Sequence, residues 1–209
     1  MDNSPEQVPS VAIVILAAGQ SSRMGMGGAH KLLAEFGGMP LIRRSAIAAT
    51  NCESRYVFVV TGYRHAEIEA AIADLPVKPV HNAEFSSGMA GSLALGVAAA
   101  EADRPDGITI MLADMPALTV SDLDALIAAF RSCGGRSIVR ATAGGRPGNP
   151  VIFPSALYAA LKSLTGDKGA RELIRSSGVP VTDIEIGDGA LIDVDTPDAI
   201  EAAGGILRR

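Results

Sequence analysis

The chain has 209 residues, 48% of them hydrophobic and 4% aromatic, which is enough to bury a core at a length where one domain over residues 11–209 is the default. A formal net charge of -5, with no cluster of lysines and arginines, argues against nucleic acid or a membrane surface as the main partner, because both attract basic patches. Residues 1–10 are polar and acidic and lack the regions of a signal peptide, and Cys52 and Cys133 have no metal-ligand spacing, so a disordered tail, a cytoplasmic protein and neither disulfide nor zinc are expected.

Residues 11–16 form an unbroken apolar, β-branched run that reads as a central strand buried on both faces. It passes through Leu16, Ala17, Ala18 and Gly19 into a loop carrying Ser21, Ser22, Arg23, Gly25, Gly27, Gly28 and Lys31. Glycines let backbone N–H groups approach a ligand, and Arg23 and Lys31 supply the charge that a polyphosphate attracts. Glycine content alone fits an ordinary flexible connection equally well. The spacing is neither that of the P-loop nor G-x-G-x-x-G. Pro40 then opens a helix over 41–50, with Arg43 and Arg44 on a solvated face. A strand over 55–61, a helical segment over 63–75 and a short strand over 77–81 follow, then a polar loop over 82–89 and an alanine-rich helix over 92–102.

Residues 108–113 are again apolar on both faces, and Thr119 with Asp122 marks a helix N-cap and its third-position carboxylate. That helix runs to about residue 131. Strands over 137–141 and 151–153 flank an irregular Gly/Pro loop at 142–150. Helices over 155–164 and 168–177, strands over 181–186 and 190–194, and a last helix behind Thr196-Pro197 complete the order. Alternating helices and doubly apolar strands predict a mostly parallel sheet covered on both faces.

Ligands of such sheets sit beyond the carboxyl ends of the strands, which draws attention to Asp114. An aspartate there often caps a helix, but Thr119 already fills that role, and a free carboxylate beside a phosphate loop suits magnesium. Asp193 and Asp195, two apart on the predicted strand, point to one side, while Asp198 in the first helical turn has an ordinary dipole rationale. Asp193 is either a partner of the ligating group or simply a strand-end residue. The turn Gly166-Asp167-Lys168-Gly169 presents N–H groups and positive charge to a phosphate, or else carries surface charges. His30, His65 and His81 are scattered and expected to be incidental; no nucleophile elbow is present.

The run L-A-A-G-x-S-x-R-M-G at 16–25, followed by Lys31-Leu32-Leu33, resembles the signature of the MobA-like NTP transferases, and most closely their molybdenum cofactor cytidylyltransferase branch. Residues 26–30 lengthen the spacing relative to compact family members. The resemblance, extended by Asp114-Met115-Pro116 and Asp193-Val194-Asp195-Thr196-Pro197, implies a three-layer Rossmann-like nucleotidyltransferase fold. It implies that residues 16–19, Ser21, Ser22, Arg23, Gly25 and Lys31 hold CTP, with Arg23, Lys31 and Asp114 catalytic and Asp114 and Asp195 on Mg2+. Asn82, Gly88 and Ser92 match the segment that nears the base and sugar. Asp167, Lys168 and Gly169 fall in a GDKGAR stretch, and 146–150 in a second one, that together resemble the seat of the acceptor. The acceptor so implied is molybdenum-loaded molybdopterin, with transient contact to a molybdenum hydroxylase. A sugar 1-phosphate transferase or a non-catalytic cofactor carrier are the other readings.

Overall fold

The computed structural model describes residues 8–21, 30–166 and 170–207. Its main sheet has seven strands in the order β5-β4-β1-β6-β8-β7-β9. These are β1 (Val11–Ala17), β4 (Tyr56–Thr61), β5 (Lys78–His81), β6 (Gly107–Leu112), β7 (Ile138–Ala143), β8 (Arg146–Pro154) and β9 (Val181–Glu185). All neighbours are parallel except that β8 runs against both β6 and β7. Two-residue strands β2 (Glu35–Phe36), β3 (Met39–Pro40) and β10 (Gly205–Ile206) form a small antiparallel sheet.

Side-chain alternation along β1 divides the core. Ile13 and Ile15 face α1 (Leu41–Asn51), α2 (His65–Ala70), α4 (Val120–Ser132) and α7 (Pro197–Ala202), whereas Ala12 and Val14 face α3 (Met89–Glu101), α5 (Tyr158–Lys162) and α6 (Arg171–Ser176). The sheet is therefore the middle of three layers, as its doubly apolar strands demand. On the second face α3 lies close to the sheet: a Cβ on Gly96 would sit 2.5 Å from Val14 Cγ1.

Three segments differ from the sequence expectation. Residues 142–150 are no irregular loop: β7 and β8 continue through them as a hairpin. Gly144 and Gly145 (φ +56° and +74°) supply the left-handed backbone that a two-residue turn requires, and the Glu185 side chain accepts from both of their N–H groups at 2.8 and 3.2 Å. Prolines 147 and 150 are tolerated because β6 pairs only with the 151–154 part of β8, leaving the rest an edge on that side. Residues 190–194 form no strand. Their apolar run follows a 3-10 turn, Gly187–Ala190, and Leu191 and Ile192 bond back to the Asp188 carbonyl instead of to a neighbouring strand. The 63–75 segment is helical in regular form only over α2.

Candidate active site

From the adjacent carboxyl ends of β1 and β6 the chain departs in opposite directions, β1 toward β4 and β6 toward β8, so the sheet opens a crevice at this switch of order. A cavity of about 490 Å3 occupies it. Residues 16–20, Lys31 and Leu32 form one wall, Phe85, Ser86, Gly88, Met89 and Ser92 a second, and Leu112, Asp114, Asp193 and Asp195 a third.

Asp114 is held by its backbone, which leaves its carboxylate for other use. On the α1 side, Ser45 Oγ donates to the Ala113 carbonyl at 3.0 Å and Arg44 Nε to the Pro116 carbonyl at 3.1 Å. On the other side the Val194 N–H donates to the Asp114 carbonyl at 3.0 Å. Thr119 and Asp122 complete the capping box of α4 between themselves. The Val194 bond, with Val194 fully buried, is also what brings the 193–195 segment to β6. Thr196 then caps α7 through the Ala199 N–H, and Pro197 takes the first helical position.

Lys31 joins the distant pieces. Its Nζ donates to Asp114 Oδ2 and, at 2.6 Å, to Asp195 Oδ1, partners 83 and 164 residues away. Lys31 and Asp114 side chains are only 13% and 14% exposed, so the pair is weakly screened. Burial alone would lower the ammonium's pKa, but Asp114, followed by Asp195, outweighs it and holds Lys31 above its usual range. Burial and then the charges of Asp114 and Asp195 push Asp193 up. Asp114 Oδ1 is buried without a hydrogen-bond partner, and so is Ser21 Oγ, on a residue held in left-handed backbone at φ +53°. Two carboxylates that already close on one cation, one of them with an orphaned oxygen, fit a divalent ion.

Of the residues singled out by the sequence, Leu16, Ala17, Ala18, Gly19, Lys31, Gly88, Ser92, Asp114 and Asp195 share this cavity. Asn82 sits behind the wall: its amide donates to Ser92 Oγ at 2.9 Å and its carbonyl oxygen accepts from Glu84 N at 3.0 Å, so it braces the segment. Ser22, Arg23, Gly25, Gly27, Gly28, Asp167, Lys168 and Gly169 lie outside the described residues. Asp193 lies on an irregular segment and not a strand, yet still lines the cavity beside Asp195. Sequence reasoning passed over Gln20 and Phe85, which carry no chemistry that a pattern could flag. His30, the one histidine near the loop, was read as incidental, although its position next to Lys31 was an available signal.

A second cavity of about 410 Å3 shares Leu16, Met89 and Leu112 with the first. Leu93, Ile110, Val151 and Ile174 make it largely apolar, while Arg140, Arg171 and Arg175 contribute positive charge. Pro147, Gly148 and Asn149 from β8 meet Ala170 and Arg171 here, so the two stretches that resemble an acceptor seat share one wall. Arg140 is forked onto Asp183 at 2.8 and 3.0 Å.

A three-layer sheet whose switch point gathers two carboxylates and a lysine beside a glycine-bearing turn defines a nucleotidyltransferase. The chain belongs to the family of the MobA-like NTP transferase domain, whose model matches residues 13–181. It is 33% identical over 199 residues to purine catabolism protein PucB of Bacillus subtilis (strain 168), covering 91% of this chain and 94% of that protein. Nicotine blue oxidoreductase of Paenarthrobacter nicotinovorans is 32% identical over 196 residues, covering 90% and 94%. Rv0371c of Mycobacterium tuberculosis H37Rv, solved in complex with manganese, superposes with a TM-score of 0.76 at 23% identity over 92% of this chain and 97% of that one.

Proposed function

We propose that the chain transfers CMP from CTP to the terminal phosphate of molybdenum-loaded molybdopterin and releases pyrophosphate. The observation that carries the nucleotide half is the grip of Asp114 and Asp195 on Lys31 at the edge of the Gly19 turn. The acceptor half rests on the adjoining cavity, whose three arginines suit an anionic molecule and whose apolar lining suits a flat ring system. The Leu16-Ala17-Ala18-Gly19 turn matches the pyrimidine-using relatives and supports CTP. The names of PucB and nicotine blue oxidoreductase both concern nitrogen heterocycles, which suits a cofactor destined for a molybdenum hydroxylase.

The chemistry needs little covalent help. A phosphate monoester has its second pKa at about 6, so the attacking oxygen is largely ionised at neutral pH and no general base is required. The protein must align two anions that repel one another and neutralise charge as the α-phosphate is attacked. Arg23 and Lys31 would supply that charge, and the shared wall of Leu16, Met89 and Leu112 would set the nucleotide against the acceptor. Asp114 and Asp195 would hold Mg2+, which when bound neutralises phosphate charge. Among the described residues no three acidic, histidine or cysteine side chains group as a cage, so a bound ion would share Asp114 and Asp195 with oxygens of the nucleotide.

Incubation with each labelled NTP, Mg2+ and either molybdopterin or a sugar 1-phosphate tests the assignment. Pyrophosphate release with CTP and molybdopterin is the expected result. Turnover with the sugar phosphate alone, or with GTP in preference to CTP, would overturn it.

A further inference from the structure

His30 is 2% exposed, buried to a degree unusual for a histidine. Its ring bonds in two directions. Nδ1 accepts from the Leu32 N–H at 3.3 Å, and Nε2 lies 3.3 Å from the Gly19 carbonyl. A carbonyl can only accept, so Nε2 carries the proton, Nδ1 is bare and the imidazole is neutral. Tyr63 stacks on the ring with centroids 5.8 Å apart and planes 28° apart, and the Tyr63 N–H is itself bonded to the Ala18 carbonyl at 3.3 Å. The ring thus ties the point where the chain leaves β1 to the turn that starts at Lys31. Both ends line the nucleotide cavity.

We propose that His30 is a positioning residue for the nucleotide: as a neutral imidazole donating from Nε2 and accepting at Nδ1, it fixes Gly19 and the Lys31 turn against one another, and so sets the shape of the cavity wall that the two segments form together. It touches no reacting atom and acts through its neighbours. The groups that face it are Lys31 on its own turn, Arg64 and Glu67 at the start of α2, and the Tyr63 ring. Burial first, opposed by the Gly19 carbonyl and reinforced by the charges of Arg64 and Lys31, lowers its pKa. Protonation would place a second N–H opposite the Leu32 N–H and break that half of the tie. Nucleotide binding should therefore weaken as the pH falls.

This inference rests on the nucleotide lying between Gly19 and Lys31, so the test reads nucleotide binding directly. Mg-CTP affinity is measured by calorimetry, with KM for both substrates and thermal unfolding, for wild type, His30→Phe, His30→Asn and His30→Gln. Phenylalanine keeps the stacking and removes both bonds; it should weaken CTP on the order of tenfold and leave the acceptor KM unchanged. The Asn Oδ1 restores the acceptor and the Gln Nε2 restores the donor, so each should recover part of the loss. Wild-type affinity should fall with pH while that of His30→Gln stays flat. His30→Phe binding CTP as tightly as wild type, or loss of both substrates in parallel with no rescue by Asn or Gln, overturns the proposal. Should His30→Phe fail to fold, Asn and Gln variants with wild-type CTP affinity and pH profile would do the same. A wild-type chain that binds none of the four NTPs is a separate result: it sinks the functional reading, and this proposal with it.

Discussion

The two cavities at the carboxyl edge of the sheet share a wall and a similar mix of polar and apolar surface, but they carry charge of opposite sign. The first is framed by strand ends and closed by a lysine between carboxylates, so its charge is placed at fixed points. The second is walled by the β7–β8 hairpin and α6, where leucine, isoleucine and valine stand beside arginines, so its charge lies at the rim of an apolar hollow. Side chains on short, pinned segments suit a ligand part common to many reactions. A wall made from a hairpin that projects past its partner strand is the part of such a fold that can change with the acceptor.

If that division holds, variants on the two sides should separate the two substrates. Asp114→Asn should lower turnover by at least about a hundredfold with unfolding temperature near wild type, measured by pyrophosphate release and calorimetry; retained turnover would break the assignment. Lys31→Met leaves Asp114 and Asp195 facing one another without their cation. It should cut turnover on the order of tenfold to a hundredfold, and Mg2+ should raise its unfolding temperature more than that of wild type. Gly148→Ala drives a Cβ to 2.1 Å from the Ala190 carbonyl oxygen. The hairpin must shift, costing about 1–3 kcal/mol and raising the acceptor KM while CTP affinity is kept. Arg175→Ala should raise the acceptor KM on the order of tenfold, with the nucleotide again unaffected.

The smallest effect concerns pH. His30 has a folded pKa below its ordinary 6.5, so at acid pH the unfolded chain binds the extra proton more readily than the folded one. Its contribution is complete above the unfolded value and fades as the pH drops through it. Unfolding temperature followed between about pH 7.5 and about 5.5 should fall more steeply for wild type than for His30→Gln. Identical slopes would show that the ring titrates as freely in the fold as in the unfolded chain.

Both apolar strands of the switch point were legible from sequence because burial on two faces leaves a plain signature, as in 11–16 and 108–113. Asp114 was legible by elimination, since Thr119 and Asp122 visibly formed the cap of α4. The hairpin at 142–150 was obscured by its own glycines and prolines, which locally resemble a loop and become strands only once β7 and β8 pair with each other. The 190–194 run erred the other way: it is apolar enough for a strand, but Val194 is used as an anchor under Asp114. The place of His30 beside Lys31 was legible, but its contacts with Gly19 and Tyr63 were not, because both arrive from elsewhere and no local pattern encodes them.

Lys31 and Asp195 stand 164 positions apart, and the Val194 anchor delivers the latter. A ribosome making this chain therefore finishes Lys31 long before it adds the acid that faces it. Partly made chains would hold that lysine with a single carboxylate, so the three-membered charge cluster at the switch point is completed last.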